Sequence, residues 1–238
     1  MKSPKKMKKH IPNILTCCNL LSGAVAVVMA FEGLFTWAFL LIILGALFDF
    51  LDGGVARLLR VSSPIGKELD SLADLVTFGL APSTMLMQAI RLETMNSTYD
   101  WGYWPLVCLL MAAFSALRLA KFNVDTRQTD SFIGLATPAN ALFWASLIAA
   151  WPHLASYAEW VPFVMVAVML LSCWLLVSEV PFFSLKFHNF SWQENKTRYI
   201  FLCGCVLLII GCALIGYLLF AGCACIVWYV LAALILRM

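Results

Sequence analysis

Charged residues are scarce in this chain of 238 residues: Asp, Glu, Lys and Arg together contribute 12%, and histidine occurs only three times. Soluble domains typically contain about 25% charged residues, so this composition excludes an ordinary soluble fold. The formal net charge is only +3. Proteins that bind nucleic acid carry strongly basic surfaces, so no nucleic-acid partner is expected.

Histidine is also missing near the C-x-C pairs, Cys203 with Cys205 and Cys223 with Cys225. The nine cysteines could indicate disulfides or a zinc site. However, nearly all of them lie inside apolar runs. We therefore interpret them as small buried hydrophobic side chains.

Apolar residues make up 63% of the chain, and the mean hydropathy is +0.89. A transmembrane helix needs roughly 20 mostly apolar residues, and several runs approach or reach that length. The candidate spans are Ile14–Phe31, Thr36–Leu58, Leu69–Ile90, Trp104–Leu119, Asn140–Trp151, Val161–Val177, Tyr199–Leu218 and Ala221–Leu236. The sequence therefore predicts an all-α polytopic membrane protein with about eight transmembrane helices.

The amino end is rich in lysine and precedes the first apolar run. This arrangement is similar to a signal peptide, but further spans follow, so we expect an uncleaved first span. Residues 1–12 should then form a basic segment at the interface, because the anionic cytoplasmic leaflet attracts lysine.

Basic residues are distributed unevenly among the predicted loops. If the amino end is cytoplasmic, all but one of the 16 lysines and arginines fall on the cytoplasmic side, and the exception is Arg91. The positive-inside bias therefore predicts a multi-pass protein of the cytoplasmic (inner) membrane. Both termini and the loop between the second and third spans should face the cytoplasm.

Four aspartates lie in and around that loop. Asp49 and Asp52 are three residues apart, and Asp70 and Asp74 are four apart, so each pair occupies one face of a helix. The segment between the pairs contains Ser, Pro and Gly and predicts a turn. Carboxylates that face each other across such a hairpin repel unless cations lie between them. Hard divalent cations prefer carboxylate oxygen, and pairs of them serve phosphoryl chemistry.

Small and basic residues accompany the aspartates. Gly53 and Ala56 would let a ligand approach the helix backbone closely. Arg57 is suited to bidentate contact with phosphate, and the Ser63 hydroxyl could bind the same group. A structural role of small residues in helix packing is the alternative interpretation.

The whole pattern reads D-x2-D-G-x2-A-R-x8-G-x3-D-x3-D. It is filled by Asp49, Asp52, Gly53, Ala56, Arg57, Gly66, Asp70 and Asp74. This pattern resembles the signature of the CDP-alcohol phosphotransferases, integral membrane enzymes of phospholipid synthesis. The resemblance implies a six-helix core at residues 13–186, followed by two additional spans at 187–238, and a homodimer.

The resemblance also implies the roles of the residues. The four aspartates would hold two divalent ions, Mg²⁺ or Mn²⁺, and Asp74 would also be the general base. CDP-diacylglycerol would be the donor. Its binding residues would be Gly53, Ala56, Arg57, Ser63, Gly66, Asn13 and Thr16.

Further segments resemble the serine-using branch of the same family. They are Pro12–Thr16, Ala116–Val124, Phe132–Ala139 and Leu176–Lys186. This resemblance implies that the serine hydroxyl attacks the phosphorus next to diacylglycerol and that CMP leaves. The carboxylate of L-serine requires a cation, so Arg118 and Lys121, with Asn123, are the candidate acceptor residues.

Two alternatives remain at this stage. Another alcohol could be the acceptor, namely glycerol 3-phosphate, inositol phosphate or choline. A phosphorylated acceptor should need several convergent basic residues, and few are present. From a different class of protein, a cation transporter could use membrane aspartates. It would place the acids near the bilayer midplane within inverted repeats, whereas these acids gather toward one face and no repeat is visible.

Overall fold

A computed structural model describes residues 10–61, 63–95, 102–125, 131–151, 160–183 and 191–235. Five helical stretches in these ranges are long and apolar enough to cross a membrane. They are His10–Phe31, Phe35–Leu59, Pro64–Thr94, Trp104–Val124 and Asn195–Leu214. Val161–Val177 and Leu218–Leu234 are shorter apolar helices. The prediction of an all-α polytopic membrane protein is confirmed.

The first two helices form a tightly packed hairpin. Helix α1 spans His10–Phe31 and α2 spans Phe35–Leu59. The turn between them depends on Gly33, whose φ of 72° lies in the left-handed region that favours glycine. The Leu34 amide donates to the Met29 carbonyl at 2.9 Å and closes the turn.

The third span is a composite of three helical segments. Helix α3 (Pro64–Asp74) continues into a π-helix (Leu75–Leu80) and then into α4 (Ala81–Thr94). The Ala81 amide bonds to the Val76 carbonyl, five residues back. Pro82, which we expect to disturb the helix because it lacks an N–H, is the second residue after this π-helix.

The middle of the chain contains a small antiparallel sheet that the sequence did not predict. A 3₁₀ segment (Trp104–Leu109) leads into α5 (Leu110–Val124), and β1 (Ser131–Ile133) precedes α6 (Thr137–Ala150). Helix α7 (Val161–Val177) leads to β2 (Pro181–Phe183). Phe132 lies opposite Phe182 in the ladder. Strands of three residues are too short to show an alternating pattern.

The two last helices are joined by a short link. Helix α8 spans Trp192–Leu214, a 3₁₀ turn spans Leu218–Phe220, and α9 spans Ala221–Ile235. Helix α8 begins seven residues before the predicted span, whose start was placed at Tyr199 because the preceding turns are polar. The backbone of α8 departs from helical geometry at Asn195. The predicted end of the fourth span at Leu119 was also too early, because α5 continues to Val124.

The core lies between α1, α2, α4, α6 and α7. Its largest fully buried side chains include Trp144, Phe78 and Met85. Large apolar side chains face outward as well, for example Leu21 at 63% and Trp37 at 61% exposure. Apolar side chains on the outside are expected where lipid replaces water as the surrounding medium. All nine cysteines are free thiols.

Helix α6 differs from the predicted fifth span. Its described part has 14 residues and is not among the described stretches long enough to cross a bilayer. Most of its side chains are buried, since α2, α4 and α9 pack around it. The apolar run from Asn140 to Trp151 therefore belongs to the protein interior.

Candidate active site

The aspartate hairpin is shaped by two local signals. Helix α2 ends with Arg60 in the left-handed conformation (φ 52°), and the Val61 amide bonds to the Ala56 carbonyl at 3.0 Å, which is a Schellman motif. Helix α3 begins at Pro64, with Ser63 as its N-cap. The Ser63 hydroxyl accepts a hydrogen bond from the Gly66 amide at 3.0 Å. These signals reverse the chain so that α2 and α3 present their acids to each other.

Three of the four aspartates meet in one cluster. One carboxylate oxygen from each of Asp49, Asp70 and Asp74 lies within 4.8 Å of the other two. Within the described part of the chain, Asp70 Oδ1 is buried and has no hydrogen-bond partner. Hard oxygen donors at this spacing, with one of them unpartnered, suit a divalent cation. The cluster could therefore hold a metal ion.

Asp52 lies beside the cluster, on the side of α2 that faces α1. Its exposed fraction is only 7%. The Thr16 hydroxyl donates a hydrogen bond to Asp52 Oδ2 at 2.5 Å. The structure thus joins Thr16, a predicted donor-side residue, directly to a predicted metal ligand.

Asn19 is a site residue that the sequence interpretation missed. It is fully buried, and its Nδ2 donates to Asp74 Oδ1 at 3.2 Å. The Thr77 hydroxyl in turn donates to the Asn19 carbonyl at 3.0 Å. A signal was available, because Thr16 and Asn19 are polar residues three apart on the buried face of an otherwise apolar helix.

Glycines on α1 and α2 allow both helices to pack closely against the π-helix that contains Thr77. A Cβ on Gly23 would come within 2.6 Å of Thr77 Cα, and a Cβ on Gly45 within 2.6 Å of Thr77 Cγ2. Both distances are shorter than real Cβ contacts allow. The position of Asn19 beside Asp74 therefore depends on the close packing that Gly23 and Gly45 allow.

A first cavity of about 250 Å³ opens next to the cluster. Its lining residues come from α1, α2 and α3 and the turn between the latter two: Pro12, Asn13, Thr16, Asp52, Gly53, Ala56, Val61, Ser63, Gly66, Lys67 and Asp70. We call it the donor cavity. Six of the predicted donor-binding residues line it. The seventh, Arg57, is exposed and lies over Gly53, about 4.0 Å from where a Cβ on that glycine would be.

A second cavity of about 320 Å³ lies at the end of α5. Its lining residues are Arg118, Lys121, Phe122, Val124, Asp125, Ile133, Leu176, Val177, Ser178 and Glu179. We call it the acceptor cavity. Two of the predicted acceptor residues, Arg118 and Lys121, are among them. Arg118 is 8% exposed, and its guanidinium carbon lies 5.0 Å from the centre of the Phe122 ring.

Asn123, the third predicted acceptor residue, faces α3. Its Nδ2 donates to Ser71 Oγ at 2.7 Å, and its carbonyl accepts from Lys67 Nζ at 2.9 Å. It therefore fastens the end of α5 to the aspartate hairpin. The sequence had predicted the end of the span before this residue, so the contact was not foreseen.

The packing of α5 places Arg118 level with the carboxylate cluster. The Asn123 contact marks one end of this interface. At the other end, a Cβ on Gly79 would lie 3.0 Å from Ser115 Cβ. Arg118 lies between these two contacts along α5. Helix α5 thus connects the lining of the acceptor cavity to α3, which carries Asp70 and Asp74.

Known proteins resemble this chain over 54% to 60% of its length. It is 37% identical to a Helicobacter pylori protein named CDP-diacylglycerol–serine O-phosphatidyltransferase, over 55% of this chain and 54% of that protein. A Bacillus subtilis protein of the same name is 38% identical over 54% of this chain and 70% of its own. An archaetidylserine synthase from Methanothermobacter thermautotrophicus is 35% identical over 60% of both chains.

The chain spans about half the length of the Helicobacter pylori relative. The family comparison covers more of it, because residues 9–182 match the family described as CDP-alcohol phosphatidyltransferase. That range contains the aspartate hairpin and all the lining residues of the donor and acceptor cavities. The chain therefore belongs to the CDP-alcohol phosphatidyltransferase family.

Proposed function

We propose that this protein transfers the phosphatidyl group of CDP-diacylglycerol to the hydroxyl of L-serine, giving phosphatidylserine and CMP. The observation that carries the proposal is the meeting of Asp49, Asp70 and Asp74 beside the donor cavity. The names of the relatives support serine as the acceptor.

Asp49, Asp52, Asp70 and Asp74 would hold two divalent ions, Mg²⁺ or Mn²⁺. Such ions would neutralise the negative charge of the pyrophosphate and stabilise the leaving CMP. Two features of the chain support this assignment. Asp70 Oδ1 is buried and unpartnered among the described residues, and four acids this close need cations to offset their repulsion.

The donor cavity would take the nucleotide end of CDP-diacylglycerol. Its walls suit a phosphate group, because Gly53, Ala56 and Gly66 leave backbone accessible. Ser63 and Asn13 add polar side chains, and Lys67 adds a positive charge. Arg57 at the rim could close on the pyrophosphate with its planar guanidinium. The diacylglycerol chains would remain in the bilayer.

The acceptor cavity would take L-serine. Arg118 would pair with its carboxylate, and Lys121, whose Nζ donates to the Val177 carbonyl at 3.3 Å, would add a second positive charge. Asn123 would not bind serine in this arrangement, because its side chain links α5 to α3 through the hydrogen bond to Ser71. Serine held by Arg118 would turn its hydroxyl toward Asp74.

Asp74 would accept the proton of the serine hydroxyl. The serine oxygen then forms a bond with the phosphorus next to diacylglycerol, and the bond from that phosphorus to the CMP oxygen breaks. The amide of Asn19 orients Asp74, because it occupies one lone pair of Oδ1 and leaves the others available. This is general base catalysis by a positioned carboxylate.

The protein would work as a homodimer in the cytoplasmic membrane, with the site and both termini on the cytoplasmic side. The charge asymmetry of the loops supports this orientation. The dimer is proposed from the family resemblance alone.

CMP release by purified protein in lipid nanodiscs tests the proposed function. We expect release from CDP-diacylglycerol with L-serine, no release after chelation of divalent ions, and restoration by Mg²⁺ or Mn²⁺. Glycerol 3-phosphate, inositol phosphate and choline serve as competing acceptors. Release with one of these and not with serine would overturn the acceptor. A cation flux without CMP release would overturn the enzyme class.

A further inference from the structure

The Lys67 side chain connects the donor cavity with α5, whose end forms part of the acceptor cavity. Lys67 lines the donor cavity and lies three residues before Asp70 on the same face of α3. Its Nζ donates to the Asn123 carbonyl of α5 at 2.9 Å. Phe122 and Val124, the neighbours of Asn123 in the chain, both line the acceptor cavity. One hydrogen bond thus joins a wall of the first cavity to a wall of the second.

The ammonium group of Lys67 has hydrogen-bond donors for a second partner. A lysine ammonium carries three N–H groups. Among the described residues, Nζ makes one hydrogen bond, to the Asn123 carbonyl, and the side chain is exposed. The remaining N–H groups can therefore bind an anion in the donor cavity while the bond to Asn123 persists. A pyrophosphate provides several oxygens of opposite charge for such a contact.

The end of α5 also carries the group to which we assign the acceptor's carboxylate. The Arg118 guanidinium carbon lies 5.0 Å from the centre of the Phe122 ring, and Phe122 directly precedes Asn123. A second link between α5 and α3 runs from Asn123 Nδ2 to Ser71 Oγ at 2.7 Å. Ser71 lines neither cavity. Of these two links, the one made by Lys67 is within reach of a molecule in the donor cavity.

We propose that Lys67 is a positioning residue that couples the two substrates, because its ammonium binds the donor's phosphate and the Asn123 carbonyl at once. Donor binding then orders the end of α5, and with it Phe122 and Arg118, before the acceptor enters. This inference rests on the proposed function, since it takes donor and acceptor to bind in these two cavities. Coupling between binding sites is reciprocal, so each substrate raises the affinity for the other.

Steady-state kinetics in lipid nanodiscs over a grid of both substrate concentrations measure the coupling. In the wild type, the apparent KM for serine should fall at least about fivefold between low and saturating CDP-diacylglycerol. In Lys67→Met, which keeps an apolar stem and removes the ammonium, the serine KM should no longer depend on the donor. Lys67→Arg should restore the dependence, because a guanidinium also has donors for two partners.

Ser71→Ala is the matched control, because it removes the other link between α3 and α5 and leaves Lys67 in place. It should change the serine KM by the same factor at every donor concentration. Hydrogen exchange at the amides of residues 119–125 adds a readout that needs no turnover. CDP-diacylglycerol with Mg²⁺, in the absence of serine, should slow this exchange in the wild type and not in Lys67→Met.

A serine KM that depends on the donor equally in wild type and Lys67→Met would overturn the inference, as would a wild-type KM that does not depend on the donor. Equal loss of the dependence in Ser71→Ala and Lys67→Met would also overturn it, since Lys67 would then only fasten α5 to α3. Wild-type protein that releases no CMP with serine would instead overturn the proposed function, and the Lys67 inference with it.

Discussion

Asn19 of α1 donates a hydrogen bond from Nδ2 to Oδ1 of Asp74 on α3, and the two atoms are 3.2 Å apart. Helix α1 carries none of the four aspartates. Its Asn19 nevertheless contacts Asp74, the residue to which we assign the proton transfer. Helix α1 also contacts the first aspartate pair, because the Thr16 hydroxyl donates a hydrogen bond to Asp52. Helix α1 therefore aligns both halves of the aspartate hairpin.

The first prediction concerns the metal ligands. Asp49→Asn and Asp70→Asn should each lower turnover by more than about a hundredfold, because a neutral amide no longer compensates the charge of the ions. Electron paramagnetic resonance of Mn²⁺ should show weaker binding in both variants. Glu68→Gln on α3 removes the same charge from an exposed position and is the control. Wild-type Mn²⁺ binding in Asp49→Asn and Asp70→Asn would refute the metal site.

Thr16→Val should weaken the donor side of the site. The substitution keeps the shape and removes the hydroxyl that bonds to Asp52, and a hydrogen bond to a charged group contributes about 1.5–3 kcal/mol. Steady-state kinetics should show a fall in kcat/KM for CDP-diacylglycerol, whereas Thr16→Ser should retain activity. Equal activity of the Val and Ser variants would show that the contact has no role in catalysis.

Gly45→Ala should destabilise the protein, whereas Gly54→Ala on the same helix should not. A Cβ at Gly45 would lie 2.6 Å from Thr77 Cγ2 and 2.9 Å from Asn19 Oδ1, but nothing lies within 4 Å of one at Gly54. Overpacking of this kind costs about 1–3 kcal/mol. Thermal unfolding in detergent measures the difference. The same midpoint for both variants would contradict the close packing below the site.

Arg118→Lys and Arg57→Lys should affect different substrates. A lost charge-assisted contact is worth about 1.5–3 kcal/mol, or roughly ten- to a hundredfold in kcat/KM. We expect Arg118→Lys to reduce kcat/KM for serine and leave CDP-diacylglycerol binding nearly unchanged. Arg57→Lys should show the reverse. If both variants perturbed only the donor, Arg118 would belong to the nucleotide side.

Membrane topology gives the last prediction. Ile65 at the aspartate hairpin is 74% exposed, and Tyr103 before the fourth span is 87% exposed. Single cysteines at these positions, in a background without native cysteines, should react with an impermeant reagent from opposite sides of the membrane. We expect the residue 65 label only from the cytoplasmic side. Labelling of both from one side would contradict the predicted orientation.

The aspartate hairpin could be predicted because its signals are local. Helical spacing alone places Asp70 and Asp74 on one face, and Ser63 with Pro64 marks a helix start. The donor cavity follows from the same stretch, together with the family pattern. These features need no knowledge of how distant helices pack.

The remaining features depend on contacts between distant segments. Asn19 joins the site only because glycines let α1 and α2 approach Thr77. Asn123 was assigned to serine but bonds to Ser71, since α5 extends beyond its apolar run. The packing of α9 against β2 is likewise a long-range contact, in which Tyr229 stacks on Phe182. Periodicity within one helix carries no information about such pairs.

The shortness of α6 has a consequence for the surrounding lipid. Its 14 residues span about 21 Å at 1.5 Å per residue, less than the hydrocarbon thickness of about 30 Å. Its buried side chains, among them Ala141, Trp144 and Ile148, contact neighbouring helices and not lipid. A mismatch between helix length and bilayer thickness would then act on α1, α2 and α8. These helices have 22, 25 and 23 residues and expose apolar side chains. Bilayer thickness should act on the site through these outer helices, since α1 and α2 carry both Asn19 and the first aspartate pair.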